Sequence, residues 1–269
     1  MKKFLILGLS FFSLTCSPKI KIFTLASTTS VDDCGLLDVL LPAFEKRYNV
    51  KIKIIAVGSG QAFRLGRDGN ADCLLVHDPQ AEEEFVSGGY GTSRYQIFSN
   101  KFILVGPKTD PAKVRSSKDI IEALKKIYQN KTFFVSRADN SGTHKKEIVL
   151  WKLAELIPKG SWYIGSGSGM ETTLRVAQEK QAYCLTDSAT YIVHRQELPD
   201  LEQLVKDDAQ LFNPYSVILV SPKKFPKVNY SLGEKFVEYL RSGEGQEIIK
   251  NFGKDKFGFS LFQVNESTF

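Results

Sequence analysis

The chain has 269 residues, 42% of them hydrophobic and 25% charged, with a formal net charge of +6. This length and apolar content suffice to bury a substantial core, and the length favours two domains. The basic residues are scattered among acidic ones rather than gathered in runs with interleaved aromatic residues, which argues against a nucleic-acid-binding protein. The basic balance is therefore interpreted as a solvated surface.

The N-terminus resembles an export signal in composition. Lys2 and Lys3 precede an apolar stretch from Phe4 to Leu14, which is too short to span a bilayer but suits the hydrophobic region of a signal peptide. Cys16 follows where bacterial lipoproteins carry their acylated cysteine, although the three residues before it fit the usual lipoprotein pattern poorly. We expect residues 1–16 to be a signal peptide or lipoprotein signal, and the protein to be exported to the periplasm or cell surface, with a lipid anchor on Cys16 as one outcome.

Strand and helix patterns alternate along the rest of the chain, as in α/β lobes with mostly parallel sheets. The predicted strands are Ile22–Leu25, Lys51–Val57, Cys73–Val76, Gln96–Val105, Thr132–Val135, Ala182–Leu185 and Tyr215–Val220. The predicted helices are Asp33–Tyr48, Gln61–Arg67, Glu82–Ser87, Ser117–Tyr128, Thr143–Leu156, Met170–Lys180, Leu232–Arg241 and Gly245–Phe252.

Three junctions between a predicted strand and the next helix carry hydrogen-bond donors. The segments are Ser27–Ser30, Gly58–Gly60 and Ser136–His144, and the last of them adds Arg137. A helix start offers unpaired N–H groups and a partial positive charge, and glycines let the backbone approach a ligand closely. Convergence of the three segments on one small anion is the favoured interpretation. The alternative is that Ser141 and other hydroxyls only cap helices and that Arg137 is a surface charge.

Enzyme and metal interpretations find little support. The chain has no Gly-x-Ser-x-Gly elbow and no P-loop. Ser141 and His144 lack a placed carboxylate, so His144 is interpreted as a helix-face histidine, and His77 as a strand end. Cysteine and histidine spacings do not suggest a metal, and Cys34, Cys73 and Cys184 are expected to be buried free thiols. We expect no cofactor and no catalytic activity.

The chain resembles the tungstate-binding substrate-binding proteins of ABC transporters, the TupA family, which are similar to phosphate- and molybdate-binding proteins. The resemblance covers nearly all of the chain after the leader. Its motifs are Ser27–Ser30 with Gly35–Leu37, Val57–Gln61, Ala71–Asp72, Val76–Asp78, Phe102–Pro107 with Asp110–Ala112, Ser136–His144, Gly167–Met170, Leu185–Asp187 and Asn213–Val217. The departures from the family pattern are Ser27 for threonine, Cys34 near a usual serine, Ala138 for glycine and Ser168 for glutamine.

The resemblance implies a two-lobed periplasmic binding protein fold of the type II kind with a ligand cleft between the lobes. Lobe 1 would comprise residues 20–105 plus 216–269 and lobe 2 residues 106–215, with crossings in the extended segments Gln96–Gly106 and Pro214–Ser221. It also implies capture of tungstate and delivery to an ABC permease with its ATPase. The expected ligand residues are Thr28, Thr29, Ser30, Ser59, Arg137, Ser141, Gly142 and Thr143.

The choice of anion depends on whether the site offers an acceptor. A protonated phosphate must donate a hydrogen bond, whereas tungstate and molybdate near neutral pH only accept. Asp32 and Asp33 are interpreted as helix N-terminal charges and Asp139 as a partner that orients Arg137. Asp72 is interpreted as a turn residue, with an acceptor role in the site as the alternative. Molybdate or phosphate binding stays open, as does a phosphate-processing enzyme or anion sensor.

Overall fold

The computed structural model describes residues 20–205 and 208–264, so the leader and Cys16 lie outside the described residues. The strands are β1 (Lys21–Thr28), β2 (Val50–Val57), β3 (Cys73–Val76), β4 (Gly91–Pro107), β5 (Phe134–Ser136), β6 (Tyr163–Gly165), β7 (Tyr183–Asp187), β8 (Leu201–Gln203), β9 (Phe212–Val220) and β10 (Gln263–Val264). The helices are α1 (Thr29–Asp33), α2 (Leu36–Tyr48), α3 (Ser59–Arg67), α4 (Pro79–Ser87), α5 (Ile120–Asn130), α6 (Gly142–Leu153), α7 (Met170–Lys180), α8 (Ser188–His194), α9 (Tyr230–Arg241), α10 (Gly243–Asn251) and α11 (Lys254–Phe257).

The strands form one continuous ten-stranded arrangement. Its order is β2-β1-β3-β9-β4-β7-β5-β6, and β8 and β10 also pair with β4. The pairs of β1 with β2 and β3, and of β5 with β6 and β7, are parallel. The predicted α/β class is confirmed, but the sheet is mixed rather than mostly parallel. The sheet is mixed because β4 and β9 lie between its two halves. These two strands are antiparallel to each other and to each of their other recorded partners.

The long strand β4 belongs to both halves of the sheet. Its first part pairs with β9 as far as Lys101, and Phe102–Val105 pairs with β7. Two clusters of buried apolar side chains come entirely from the chain between residues 102 and 211, whereas the other two draw mainly on both ends of the chain. The segments predicted as crossings lie within β4 and β9. The exact lobe boundaries stay a prediction.

Several helical segments differ from the sequence prediction, among them α11, which has no predicted counterpart. The helix predicted over Asp33–Tyr48 is split into α1 and α2, because Gly35 adopts a φ of +81° that interrupts the helical backbone. Helix α8 was not predicted, although its first turn is stabilised by Asp187, whose carboxylate accepts from the N–H of Thr190 at 2.9 Å. The three described cysteines are buried and free, as predicted.

Helix α6 carries a buried acid, Glu147, on its inner side. The carboxylate accepts hydrogen bonds from Trp151 Nε1 at 3.2 Å and from the hydroxyl of Tyr163 at 2.6 Å. Burial raises the pKa of Glu147 to about 7, although the hydrogen bonds from Tyr163, Ser136 and Trp151 act in the opposite direction. Glu147 lies directly behind the segment that contains Arg137. Its protonated carboxyl group is therefore part of the packing that supports this segment.

We expect Glu147→Gln to reduce the pH dependence of stability. Because the pKa is raised from 4.5 to about 7, the folded protein holds this proton over a range in which the unfolded chain has lost it. The contribution of Glu147 to the free energy of unfolding therefore falls as pH rises from about 4.5 to about 7. Between about pH 5 and pH 8 the loss is on the order of 3 kcal/mol.

Urea unfolding of wild type and variant at both pH values measures this loss. Glutamine keeps an acceptor for Trp151 and Tyr163, so the variant isolates the proton. The exposed Glu83 provides the control Glu83→Gln, which should reproduce the wild-type pH dependence. An equal dependence in Glu147→Gln would contradict the raised pKa.

Candidate functional site

The three donor-rich segments come together between the two halves of the sheet. Two of them follow the parallel strands β1 and β2 of one half, and the third follows β5 of the other half. Arg137 Nη2 donates to Thr29 Oγ1 at 3.4 Å, which joins the segment after β5 to the one after β1. A Cβ built on Gly58 would lie 3.7 Å from both the carbonyl oxygen of Asp139 and the Cα of Ser141, so the segment after β2 also packs on the same loop. The three segments thus lie together, and their convergence on one small anion stays a prediction.

Arg137 is buried rather than exposed. Only 2% of the residue is exposed, which rules out the alternative of a surface charge. Its Nη2 and Nε donate to Asp139 Oδ2 at 2.6 and 3.1 Å. Asp139 therefore orients the guanidinium, as the sequence predicted, and compensates its charge. These contacts, with that to Thr29, use Nε and Nη2, and no other described residue accepts a hydrogen bond from Nη1, which can therefore donate to a further acceptor.

Two hydroxyls of the donor-rich segments have no hydrogen-bond partner within the described chain. They are Ser59 Oγ and Thr143 Oγ1, both fully enclosed. Ser59 begins α3 and Thr143 lies in the first turn of α6. Buried polar atoms are normally paired, so unpaired hydroxyls in two of the segments that meet at the Arg137 loop are suited to a small acceptor-rich group.

The remaining predicted donors have local roles as well. Thr28 Oγ1 and Ser30 Oγ are 3.2 Å apart and buried. Ser141 caps α6, since its Oγ accepts from the N–H of His144 at 3.3 Å, and this confirms the capping interpretation for Ser141. Gly142 and Thr143 are the first residues of α6, and helix geometry gives their N–H groups no intrahelical acceptor. Those two N–H groups remain as donors for an anion.

The loop that holds Arg137 has a strained backbone. Ala138 has a φ of +50° and Asn140 a φ of +59°. The left-handed conformation costs alanine roughly 1–2 kcal/mol, whereas asparagine tolerates it better. Ala138 stands where the family pattern has glycine, and the conformation gives the physical reason for that pattern. The packing around the loop must therefore hold Ala138 in place.

Asp72 does not serve the site. Its Oδ2 accepts from the N–H of Thr24 and its Oδ1 from the N–H of Asn229, both at 2.6 Å. Thr24 lies four residues before the end of β1, and therefore away from the donor-rich segment that follows this strand. The turn role predicted for Asp72 is confirmed. Asp33, in contrast, ends α1 rather than beginning a helix, and burial together with Asp32 and Glu171 raises its pKa to about 6 against the lowering effect of Arg137.

The possible pair of nucleophile and base is not formed. His144 Nδ1 accepts from the backbone N–H of Asn140 at 3.0 Å, and Ser141 Oγ bonds the backbone of His144 rather than its ring. One cluster of metal-type ligands occurs in the described ranges, with ligand atoms of Glu171, His194 and Glu197 within 4.8 Å of one another. The guanidinium of Arg175 already pairs with both carboxylates.

A buried polar network at the crossings was not predicted. Asn213 Nδ2 donates to Asn100 Oδ1 at 2.6 Å and to the Tyr215 hydroxyl at 3.1 Å, and Asn100 Nδ2 reaches Asp187 at 3.5 Å. His77 completes it through Nδ1, 2.8 Å from Asn213 Oδ1. The motifs that contain these residues pointed only to family resemblance, because nothing in their spacing indicates that β3, β4 and β9 lie side by side.

Comparisons with known proteins agree with the fold. Residues 19–244 match the PBP superfamily domain. The chain is 46% identical to the tungstate-binding protein TupA of Peptoclostridium acidaminophilum, over 90% of this chain and 85% of the relative. It is 40% identical to TupA of Campylobacter jejuni, over 83% and 84% of the two chains.

A solved structure extends the comparison to three dimensions. The tungstate ABC transporter structure from Geobacter sulfurreducens is 45% identical, has a TM-score of 0.79, and is matched over 86% of this chain and 98% of its own. The similarity therefore extends over most of the chain and its fold rather than over a short motif. The chain belongs to the TupA family of periplasmic-binding-protein-like proteins.

Proposed function

We propose that this protein is the extracytoplasmic tungstate-binding component of an ABC transporter. The observation that carries the proposal is the buried Arg137, in a loop that meets the segments after β1 and β2, together with the hydroxyls of Ser59 and Thr143, which are unpaired within the described residues. A tetrahedral oxyanion offers acceptors in several directions and would pair with these groups. The names of the TupA relatives support tungstate as the ligand.

We propose that the anion is enclosed between two lobes, residues 20–105 with 216–269 and residues 106–215. The contact of Thr29 with Arg137 and the approach of Gly58 to Ser141 join segments from the two proposed lobes. Closure would expel water and so strengthen each hydrogen bond to the ligand. The closed form would then be the one recognised by the permease, which works with its ATPase.

The proposed location is the periplasm or the outer face of the cell membrane. In the part of the chain that the structure describes, no helix is long and apolar enough to cross a membrane. Attachment would therefore depend on the leader, where Cys16 is the proposed site of a lipid anchor. The mass of the N-terminal peptide from host cells distinguishes a lipidated Cys16 from plain cleavage.

The donor set favours a fully deprotonated dianion over phosphate. Asp72 is occupied by two backbone N–H groups and Asp139 by Arg137 and the N–H of Ser141. Molybdate shares the charge and shape of tungstate, so the preference between them rests on the relatives. The two groups proposed for nucleophilic chemistry are not paired, which favours binding over a phosphate-processing activity or a sensor with turnover.

We expect tungstate to raise the melting temperature of the purified protein and phosphate to have little effect. A ligand that binds only the folded state at one hundred times its Kd stabilises by about 2.7 kcal/mol. Differential scanning calorimetry with tungstate, molybdate, phosphate and sulfate measures this, with product analysis as a check on turnover. No shift with any of the four anions would refute the proposed function.

Arg137→Ala should weaken tungstate binding severely. Removing one member of a buried charge pair costs roughly 2–5 kcal/mol, or about thirtyfold to several-thousandfold in Kd. Calorimetric titration of the folded variant measures the loss. The control is Arg175→Ala, which removes an exposed guanidinium paired with Glu171 and Glu197 and should leave Kd within a factor of about two. A similar Kd for wild type and Arg137→Ala would exclude Arg137 from the site.

Ser59→Ala should weaken anion binding without lowering the stability of the ligand-free protein. The unpaired hydroxyl contributes nothing to the ligand-free fold, so its removal should leave the melting temperature unchanged or raised. A hydrogen bond to a charged ligand is worth about 1.5–3 kcal/mol, so Kd should rise roughly tenfold or more.

Ser242→Ala is the matched control for this variant. Ser242 Oγ accepts from the N–H of Gly245 at 3.3 Å and caps α10, so its loss should lower stability by about 1 kcal/mol with unchanged Kd. Calorimetry on both variants gives the melting temperature and Kd. If Ser59→Ala behaves like Ser242→Ala, the hydroxyl of Ser59 does not contact the anion.

A further inference from the structure

His77 is held in a fixed position by the strands that connect the two halves of the sheet. It follows β3, and only 3% of the residue is exposed. Its ring stacks on Tyr215 of β9 with ring centroids 4.7 Å apart and an interplanar angle of 17°, and lies 6.0 Å from the ring of Phe102 of β4. Its environment is therefore set by both crossing strands.

The hydrogen bonds of Asn213 determine which ring nitrogen of His77 carries the proton. Both N–H groups of the Asn213 amide are used, toward Asn100 and Tyr215. Asn213 Oδ1 must then accept, and His77 Nδ1, at 2.8 Å, donates. Burial lowers the pKa of His77 and so favours the neutral ring. In that form Nδ1 is the donor and the Cε1–Nε2 edge faces away from Asn213.

That edge of the ring lies against the first residue of α6. A Cβ added to Gly142 would come within 2.9 Å of both Cε1 and Nε2 of His77, and within 3.0 Å of the His77 carbonyl oxygen. Real Cβ atoms do not approach that closely, so only glycine fits while the two residues are in contact. Gly142 and the following Thr143 carry the N–H groups that the proposed anion would receive.

A second contact, an ion pair, joins the same two segments. Lys145 Nζ lies 2.6 Å from Asp78 Oδ2, and Asp78 also caps α4. Residues 142 and 145 are one helical turn apart and therefore lie on one face of α6. Two successive residues of the segment after β3 thus contact two positions on one face of α6, which fixes the helix in both position and rotation.

Resting on the proposed function, we propose that His77 is a positioning residue for anion binding. Its ring, held by Asn213 and Tyr215, supports the start of α6 and thereby places the N–H groups of Gly142 and Thr143 toward the ligand. In the proposed lobe assignment His77 belongs to lobe 1 and Gly142 to lobe 2. Their contact is therefore complete only when the lobes are closed, and it contributes to the affinity for the anion rather than to the stability of the open form.

Gly142→Ala tests the contact from the side of the helix. Alanine suits a helix at least as well as glycine, so we expect the ligand-free melting temperature to equal or exceed that of wild type. Tungstate affinity, measured by calorimetric titration, should fall at least about tenfold. The control is Gly243→Ala: Gly243 also follows a serine N-cap as the first residue of its helix, but a Cβ there meets nothing within 4 Å. It should bind like wild type.

A double-mutant cycle with His77→Ala tests whether the two residues act through each other. His77→Ala alone should weaken tungstate binding at least about fivefold. The double variant should bind no more weakly than the weaker-binding single variant, because His77→Ala removes the ring atoms closest to the new methyl group and leaves only the tight contact with the backbone carbonyl oxygen of residue 77. If the fold-changes in Kd of the two single variants multiply in the double variant, the two residues act independently and the proposal is overturned.

Two further outcomes are also decisive. Unchanged affinity in Gly142→Ala, or a fall in its ligand-free melting temperature that parallels the loss of affinity, would overturn the proposal as well. The comparison of Gly142→Ala with Gly243→Ala stands even if His77→Ala fails to fold. Failure of wild type to bind tungstate would instead refute the proposed function, so the two failures are distinguishable.

Discussion

The pairing of β4 with β9 is the constraint on which the rest of the structure depends. The two strands run antiparallel from Gly91 to Lys101, and β4 then continues into the other half of the sheet. Each half packs its own helices and has its own buried apolar clusters. The loops that carry the hydroxyls and Arg137 can meet only because this pair of strands sets the separation and orientation of the two halves.

The site combines one compensated charge with neutral donors. Asp139 neutralises Arg137 in the absence of ligand, which lowers the cost of burying a guanidinium. Within the described residues the hydroxyls of Ser59 and Thr143 are buried without partners, which costs stability that a ligand could return. The left-handed Ala138 adds a further local cost. Stability is therefore lowered in the loops proposed to receive the anion, while the sheet and helices behind them are well packed.

The sequence predicted the elements that have a strong local signal. Strand β3 and helix α7 have their predicted bounds, because β3 is a short uninterrupted apolar run and α7 has helical apolar spacing after Gly169. The donor-bearing helix starts were visible for a similar reason, since hydroxyls or glycines before a helix form local motifs, and their role as anion ligands stays a prediction. Asp139 was also correctly paired with Arg137, because the two are only two residues apart.

Features that depend on distant parts of the chain were not predictable. The antiparallel insertion of β9 between β3 and β4 leaves no trace in the period of either strand. The His77, Asn100 and Asn213 network joins residues separated by up to 136 positions. Its members are ordinary polar residues in sequence, and only their burial on neighbouring strands distinguishes them. The break at Gly35 was missed because apolar spacing continues across it.

The position of β9 also constrains the order in which the chain can fold. Strands β1, β2 and β3 are complete by residue 76, yet their neighbour β9 begins only at Phe212, and β10 adds to β4 from residue 263. The segment between residues 102 and 211 can form its contacts earlier, because they are closer in sequence. The half of the sheet that contains β1, β2 and β3 therefore remains unfinished until residues 212–220 are available. Until then β3 lacks its partner β9, and its exposed backbone groups form an edge that other strands can pair with.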